Sequence, residues 1–195
     1  MSTINLLAIS GSLRARSINT EVLRAAALVA PPDVRVTLFD GLGALPHFNP
    51  DLDGAGAVPP AAIQALRSQI AAADGMLICT PEYAHGLPGT LKNALDWLVS
   101  GPEIIHKPIV LLNASPRSTH AQASLAETLR TMSAELVAGA AIDLPIDGRR
   151  LDAREIAADP ALAAPLRSGL EALVGAVAGY RPLRAALFPA PGGMP

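Results

Sequence analysis

Three continuous apolar runs, INLLAI at 4–9, GMLICT at 75–80 and PIVLLNA at 108–114, each end in a polar, turn-rich loop followed by helix-period spacing. A strand that is apolar at every position has no solvent face. It must be covered on both sides, which is the environment of a parallel sheet sandwiched between helices. Parallel neighbours cannot be joined by a tight hairpin, so each run needs a crossover element before the next.

The spacing between the runs supplies those crossovers. Ile18, Val22, Ala26 and Val29 recur at helical intervals until PPD at 31–33 stops them. VRVTLF at 34–39 alternates and reads as a strand nearer the sheet edge. A Gly/Pro/Asp-rich loop over 40–58 precedes a helix that starts after Pro59 and Pro60 and carries Ile63, Leu66, Ile70 and Ala73 on one face. Leu91, Leu95 and Leu98 mark the next helix, and Leu125, Leu129 and Met132 the one after. LVAGAAI at 136–142 is the weakest strand, because Gly and Ala form strands poorly. A loop rich in Asp and Arg is expected over 143–159, and Leu162, Leu166, Leu170, Leu173 and Val177 define a last helix. The expectation is one α/β domain over 1–182 with five strands and five helices, and a tail over 183–195 that is flexible or serves as a docking arm.

Composition removes several function classes. A net charge of −2 and 3% aromatic residues give no basic footprint or stacking platform for nucleic acid. Cys79 is the single cysteine, so no internal disulfide or multi-cysteine metal site exists, and the four histidines show no metal-ligand spacing. Neither a signal peptide nor a bilayer-spanning run is read, so a soluble cytoplasmic protein with no membrane or nucleic-acid partner is expected.

In a doubly wound sheet the ligand sits outside the carboxyl ends of the strands, where strand order reverses. Those ends are the loops 10–19, 81–89 and 113–120, and all three are polar. The first, SGSLRARSIN, lacks both the nucleotide-triphosphate loop pattern and the dinucleotide glycine fingerprint. It offers instead the hydroxyls of Ser10, Ser12 and Ser17, the Asn19 amide and the Arg14 guanidinium, beside the amides that open a helix. That set suits a terminal phosphomonoester; the alternative is that Ser17 merely caps the helix and the arginines face water. In the second loop, Pro and Gly fix a backbone course that can face a flat heterocycle, and Tyr83 can stack on it or pack against Trp97 and Leu98.

GSLRARSIN after the first strand, with PEYAHGLPGTLKNALDWL after the third, resembles the NADPH-dependent FMN reductase family, a flavodoxin-like group that includes quinone, azo-dye and chromate reductases. The resemblance implies a five-stranded parallel sheet of order 2-1-3-4-5 with helices on both faces. It implies that Ser10, Ser12, Arg14, Ser17 and Asn19 hold the FMN phosphate and its approach. Pro81, Glu82 and Tyr83 would border the isoalloxazine ring with His85 and Gly86 nearby, and Ser115 and Arg117 would lie at its other edge. Ala84 stands where many relatives have Asn, and Gly86 where they often have Ser. A homodimer or homotetramer is implied too, with the Trp97–Leu98 helix end and the loops 40–58 and 81–89 as contacts.

The activity so implied is NAD(P)H oxidation by bound FMN and ping-pong delivery of electrons to a quinone, azo compound, flavin or metal-ion acceptor. NADPH or NADH is the co-substrate, and no catalytic side chain or metal is required. Cys79, at a strand end, reads as a buried structural thiol. The alternative is a non-enzymatic flavodoxin-like electron carrier, although such carriers are strongly acidic and this chain is nearly neutral. A phosphatase lacks its loop nucleophile, and a purely structural domain leaves three polar loops unexplained.

Overall fold

A computed structural model describes residues 3–54, 56–138, 141–146 and 148–187. The chain order is β1 (Ile4–Ser10), α1 (Ile18–Val29), β2 (Val34–Phe39), α2 (Ala61–Ala72), β3 (Gly75–Cys79), α3 (Gly89–Asp96), β4 (Pro108–Asn113), α4 (Thr119–Thr131), β5 (Glu135–Leu136), β6 (Ile142–Asp143), α5 (Ala153–Ala158) and α6 (Pro160–Leu187). The sheet is parallel with order β2-β1-β3-β4-β5, so chain order reverses between β1 and β3.

The continuous apolar runs are explained by two cores, one on each face. Leu6 and Ala8 of β1, Leu77 and Cys79 of β3, and Val110 and Leu112 of β4 point to the side covered by α1, α5 and α6. Leu7, Ile9, Met76, Ile78, Ile109 and Leu111 point to the side covered by α2, α3 and α4. Each strand therefore sends alternate side chains into opposite cores, and only Asn5, near the start of β1, is exposed. At the edge, β2 keeps the alternating pattern its sequence carries.

The region beyond β4 corrects three expectations. The strand expected over 136–142 is two short ladders: β5 pairs with the start of β4 and β6 with its end. Ala and Gly between them supply little to pack on a pleated surface. The loop expected over 143–159 contains α5, opened by a capping box in which Asp152 accepts from the Arg154 and Glu155 amides and Glu155 accepts from the Asp152 amide. Finally, α6 continues to Leu187, so residues 183–187 of the expected tail are helical, and FPAPGGMP at 188–195 lies outside the described residues. This helix is also long and apolar enough to cross a membrane, contrary to the expectation from sequence. Its stripe of Leu162, Leu166, Leu170, Leu173 and Val177 is buried against the sheet, as in a core helix.

The long loop 40–58 is pinned to α3 and to Trp97 at its end. Asn93 donates to Pro46 O at 2.9 Å and accepts from the Phe48 amide at 2.8 Å. The Trp97 indole also donates to Pro46 O and meets Phe48 edge-on at 5.1 Å. Arg67 of α2 clasps both Asp53 oxygens at 2.9 and 3.0 Å. Trp97 and Leu98 are consequently buried, so they cannot supply the expected subunit contact.

At the amino ends of the strands, the buried Lys107 donates to Ile70 O and Ala73 O at the end of α2 and lies over the Tyr180 ring at 4.9 Å. Burial, then the nearby Arg184, lowers its pKa to about 7 despite Asp74 and Glu103. Burial pushes Asp74 up, but hydrogen bonds from Arg181 and the Asn5 amide overcome it and hold the carboxyl below its ordinary value.

Candidate functional site

The carboxyl ends of β1, β3 and β4 open into a cavity of about 210 Å³ at the point where strand order reverses. The loop after β1 reaches it by folding tightly over β3. The Gly11 amide donates to Cys79 O at 2.9 Å, and a Cβ at Gly11 would lie 2.8 Å from Thr80 Cβ. Only glycine allows that approach. Ser10 Oγ accepts from the Ser12 amide at 3.3 Å and from Thr20 Oγ1 at 2.8 Å, and Ser12 Oγ accepts from the Arg14 amide at 3.3 Å. These bonds shape the loop rather than face a ligand in the case of Ser10, which does not line the cavity.

Ser12, Arg14, Ser17 and Asn19 do line it, at the start of α1. Ser17 occupies the helix N-cap, yet its side chain makes no capping bond. Its Oγ is buried with no hydrogen-bond partner among the described residues, in a side chain only 3% exposed. The reading in which Ser17 serves only as a cap is therefore not what the structure shows. A buried hydroxyl without a partner costs about 1–3 kcal/mol, and an anion at the helix N-terminus would remove that cost. Asn19 Oδ1 accepts from the Cys79 thiol at 3.2 Å, locking α1 to the end of β3. Complete burial pushes the Cys79 thiol far up, so it is not a nucleophile.

Across the cavity stand Pro81, Glu82 and Tyr83 after β3, and Ser115 after β4. Glu82 Oε2 accepts from the Ala121 amide at 2.9 Å, within the first turn of α4, so the second loop is tied to the third. Tyr83 and Gly86 exchange backbone bonds of 3.1 and 3.0 Å around Ala84 and His85, whose φ angles are +49° and +58°. In that turn Tyr83 is 52% exposed, whereas Trp97 is fully buried. His85 and Gly86 do not line the cavity; His85 instead stacks on His120 of α4 at 4.2 Å. Arg117 is exposed and also outside it.

The sequence reading missed Ser118, Ile18 and Ala114, which complete the wall. Ser118 is the buried N-cap of α4 and makes no side-chain capping bond, like Ser17. Its signal was present: a serine directly before the helix that follows β4, in the position Ser17 holds after β1.

A sequence model of the NADPH-dependent FMN reductase family matches residues 4–143. The chain belongs to that family. As a member it is an oxidoreductase with FMN as cofactor and NAD(P)H as reductant. It is 40% identical over 131 residues to an NAD(P)H-dependent FMN reductase of Pseudomonas aeruginosa, covering 65% of this chain and 69% of that one. It is 35% identical over 114 residues to a quinone reductase of Escherichia coli, covering 57% of this chain and 60% of that one. Among solved structures, the flavoenzyme NAD(P)H:(acceptor) oxidoreductase of Paracoccus denitrificans superposes with a TM-score of 0.70 at 27% identity, over 91% of this chain and 98% of that one. The orphan Ser17 hydroxyl, the Arg14 guanidinium and the α1 amides form a donor set that fits the phosphate of an FMN reductase.

Proposed function

We propose that this protein is an FMN-dependent NAD(P)H oxidoreductase of the quinone-reductase type, with both substrates using one open face in ping-pong order. Ser12, Arg14, Ser17 and Asn19 hold the FMN phosphate and its approach, and the loops carrying Pro81–Tyr83 and Ser115 border the ring. FMN, when bound, supplies the hydride and electron chemistry. The protein's own residues bind and orient. The α1 N-terminus and Arg14 balance the phosphate charge, and Glu82 holds two of the three loops in register through Ala121. The Tyr83 turn leaves an uncovered face for a nicotinamide and then for a flat acceptor such as a quinone, azo compound or second flavin; a metal ion is a further candidate.

The observation that carries this reading is the buried, unpartnered hydroxyl of Ser17, a residue that lines the cavity at the strand-order reversal. A cytoplasmic location suits a consumer of NAD(P)H. The exposed side chains of Leu13, Tyr83 and Val99 are apolar surface that a dimer or tetramer would cover, which sedimentation would read directly. Initial-rate kinetics with NADPH and 1,4-benzoquinone test the function. Parallel double-reciprocal lines support a single shared face. Intersecting lines would reject ping-pong order, and no NAD(P)H oxidation with any quinone, azo dye or flavin would reject the reading itself.

A further inference from the structure

A second and larger cavity, about 650 Å³, opens beside the first and shares Arg14, Ser17 and Ile18 with it. Its far wall is the segment that links β6 to α5, where Arg149, Arg150 and Leu151 precede the Asp152 cap. Arg16 completes a set of four guanidiniums around one hollow.

The charges there are unevenly committed. Asp152 and Glu155 are consumed by the capping box, and Glu21 accepts from Arg24 and from the Ala153 amide. Arg149 braces its own segment by donating to Pro145 O, Ile146 O and Asp159. Arg14, Arg16 and Arg150 have no side-chain hydrogen bond or ion pair among the described residues. The carboxylates of the hollow are thus engaged in holding it together, while Arg16 and Arg150 are available to an incoming anion once Arg14 is committed to the FMN phosphate. Ser17, with its buried unpartnered hydroxyl, stands on the shared wall.

We infer that this hollow is the subsite for the adenosine end of NADPH, with Arg16 and Arg150 as the residues that recognise its 2′-phosphate and so favour NADPH over NADH. The inference rests on the function proposed above. A phosphomonoester dianion matches guanidinium forks better than a hydroxyl does, because each fork donates paired, charge-assisted bonds. The room is sufficient for a nucleoside phosphate, and Ile18 and Leu151 offer apolar surface for a base. Sharing a wall with the phosphate cavity places the hollow where a dinucleotide reaching over the FMN site can deposit its other end.

The test is calorimetric titration of FMN-saturated protein with adenosine 2′,5′-bisphosphate, adenosine 5′-monophosphate and inorganic phosphate. The bisphosphate should bind at least about tenfold more tightly than the monophosphate. Arg16→Ala and Arg150→Ala should each remove most of that margin without changing FMN affinity by more than about twofold, and Arg150→Lys should keep part of it. The KM for NADPH should rise in both alanine variants while that for NADH stays put. Equal binding of bisphosphate and monophosphate, or an unchanged margin in both alanine variants, would overturn the assignment. Inorganic phosphate binding as tightly as the bisphosphate would make this a free-phosphate site and overturn the nucleotide. Protein that binds no FMN and oxidises no NAD(P)H would refute the proposed function separately, and the titration of the protein as purified would still decide the subsite.

Discussion

Glu82 and Ala121 lie 39 residues apart in sequence and meet at 2.9 Å, carboxylate to amide, across the top of the sheet. The bond fastens the loop after β3, which lines the cavity, to the first turn of α4. It also places a negative charge at the positive end of α4. Glu82→Ala should lower stability by about 1 kcal/mol and weaken FMN binding several-fold. Glu82→Gln, which keeps an acceptor oxygen, should recover most of the FMN affinity. Thermal unfolding and fluorescence titration check both, and equal losses in the two variants would contradict the tether.

Ser17 gives a prediction with opposite signs. Because its buried hydroxyl lacks a partner, Ser17→Ala should leave the FMN-free protein at least as stable as wild type. The same change should weaken FMN binding by about tenfold, the worth of one hydrogen bond to a charged group. A fall in FMN-free stability with unchanged FMN affinity would return Ser17 to the role of a helix cap.

Arg14 lines both cavities and Arg16 only the outer one. Arg14→Ala should therefore weaken FMN binding more than Arg16→Ala does, by about tenfold or more. Equal losses by fluorescence titration would contradict this division of labour.

The sheet was legible because burial on both faces leaves a nearly continuous apolar run in β1, β3 and β4. The two polar loops at the mouth of the cavity were legible because GSLRARSIN and PEYAHGLPG concentrate donors and turn residues at strand ends. The features that escaped depended on tertiary partners. Trp97 is an anchor for loop 40–58, and not a contact surface, because of Pro46 and Phe48, about 50 residues away. Arg149 and Arg150 come to face Arg14 and Arg16 because α5 packs beside α1, which no local pattern states. One miss had a local signal: Asp152 and Glu155 are spaced as a capping box, and that spacing marks the start of α5.

At the other end of the sheet, Lys107 makes stability depend on pH. Its folded pKa, about 7, lies below the ordinary lysine value of 10.5. Between those values the unfolded chain binds more protons than the folded one, so stability rises with pH across the window. Below about 7 both states carry the proton and this contribution is flat. Thermal midpoints from pH 6 to 10 should rise relative to those of Lys107→Met, which removes the titrating group. Parallel midpoint curves for the two proteins would contradict the depressed pKa.

The central claim is that the loop after β1 grips a phosphomonoester. Affinities of the FMN-stripped protein for FMN and for riboflavin test it most directly, since the two ligands differ only in that group. The account predicts FMN binding tighter by about a hundredfold or more, given several charge-assisted bonds to one phosphate. Equal affinities for FMN and riboflavin would contradict it.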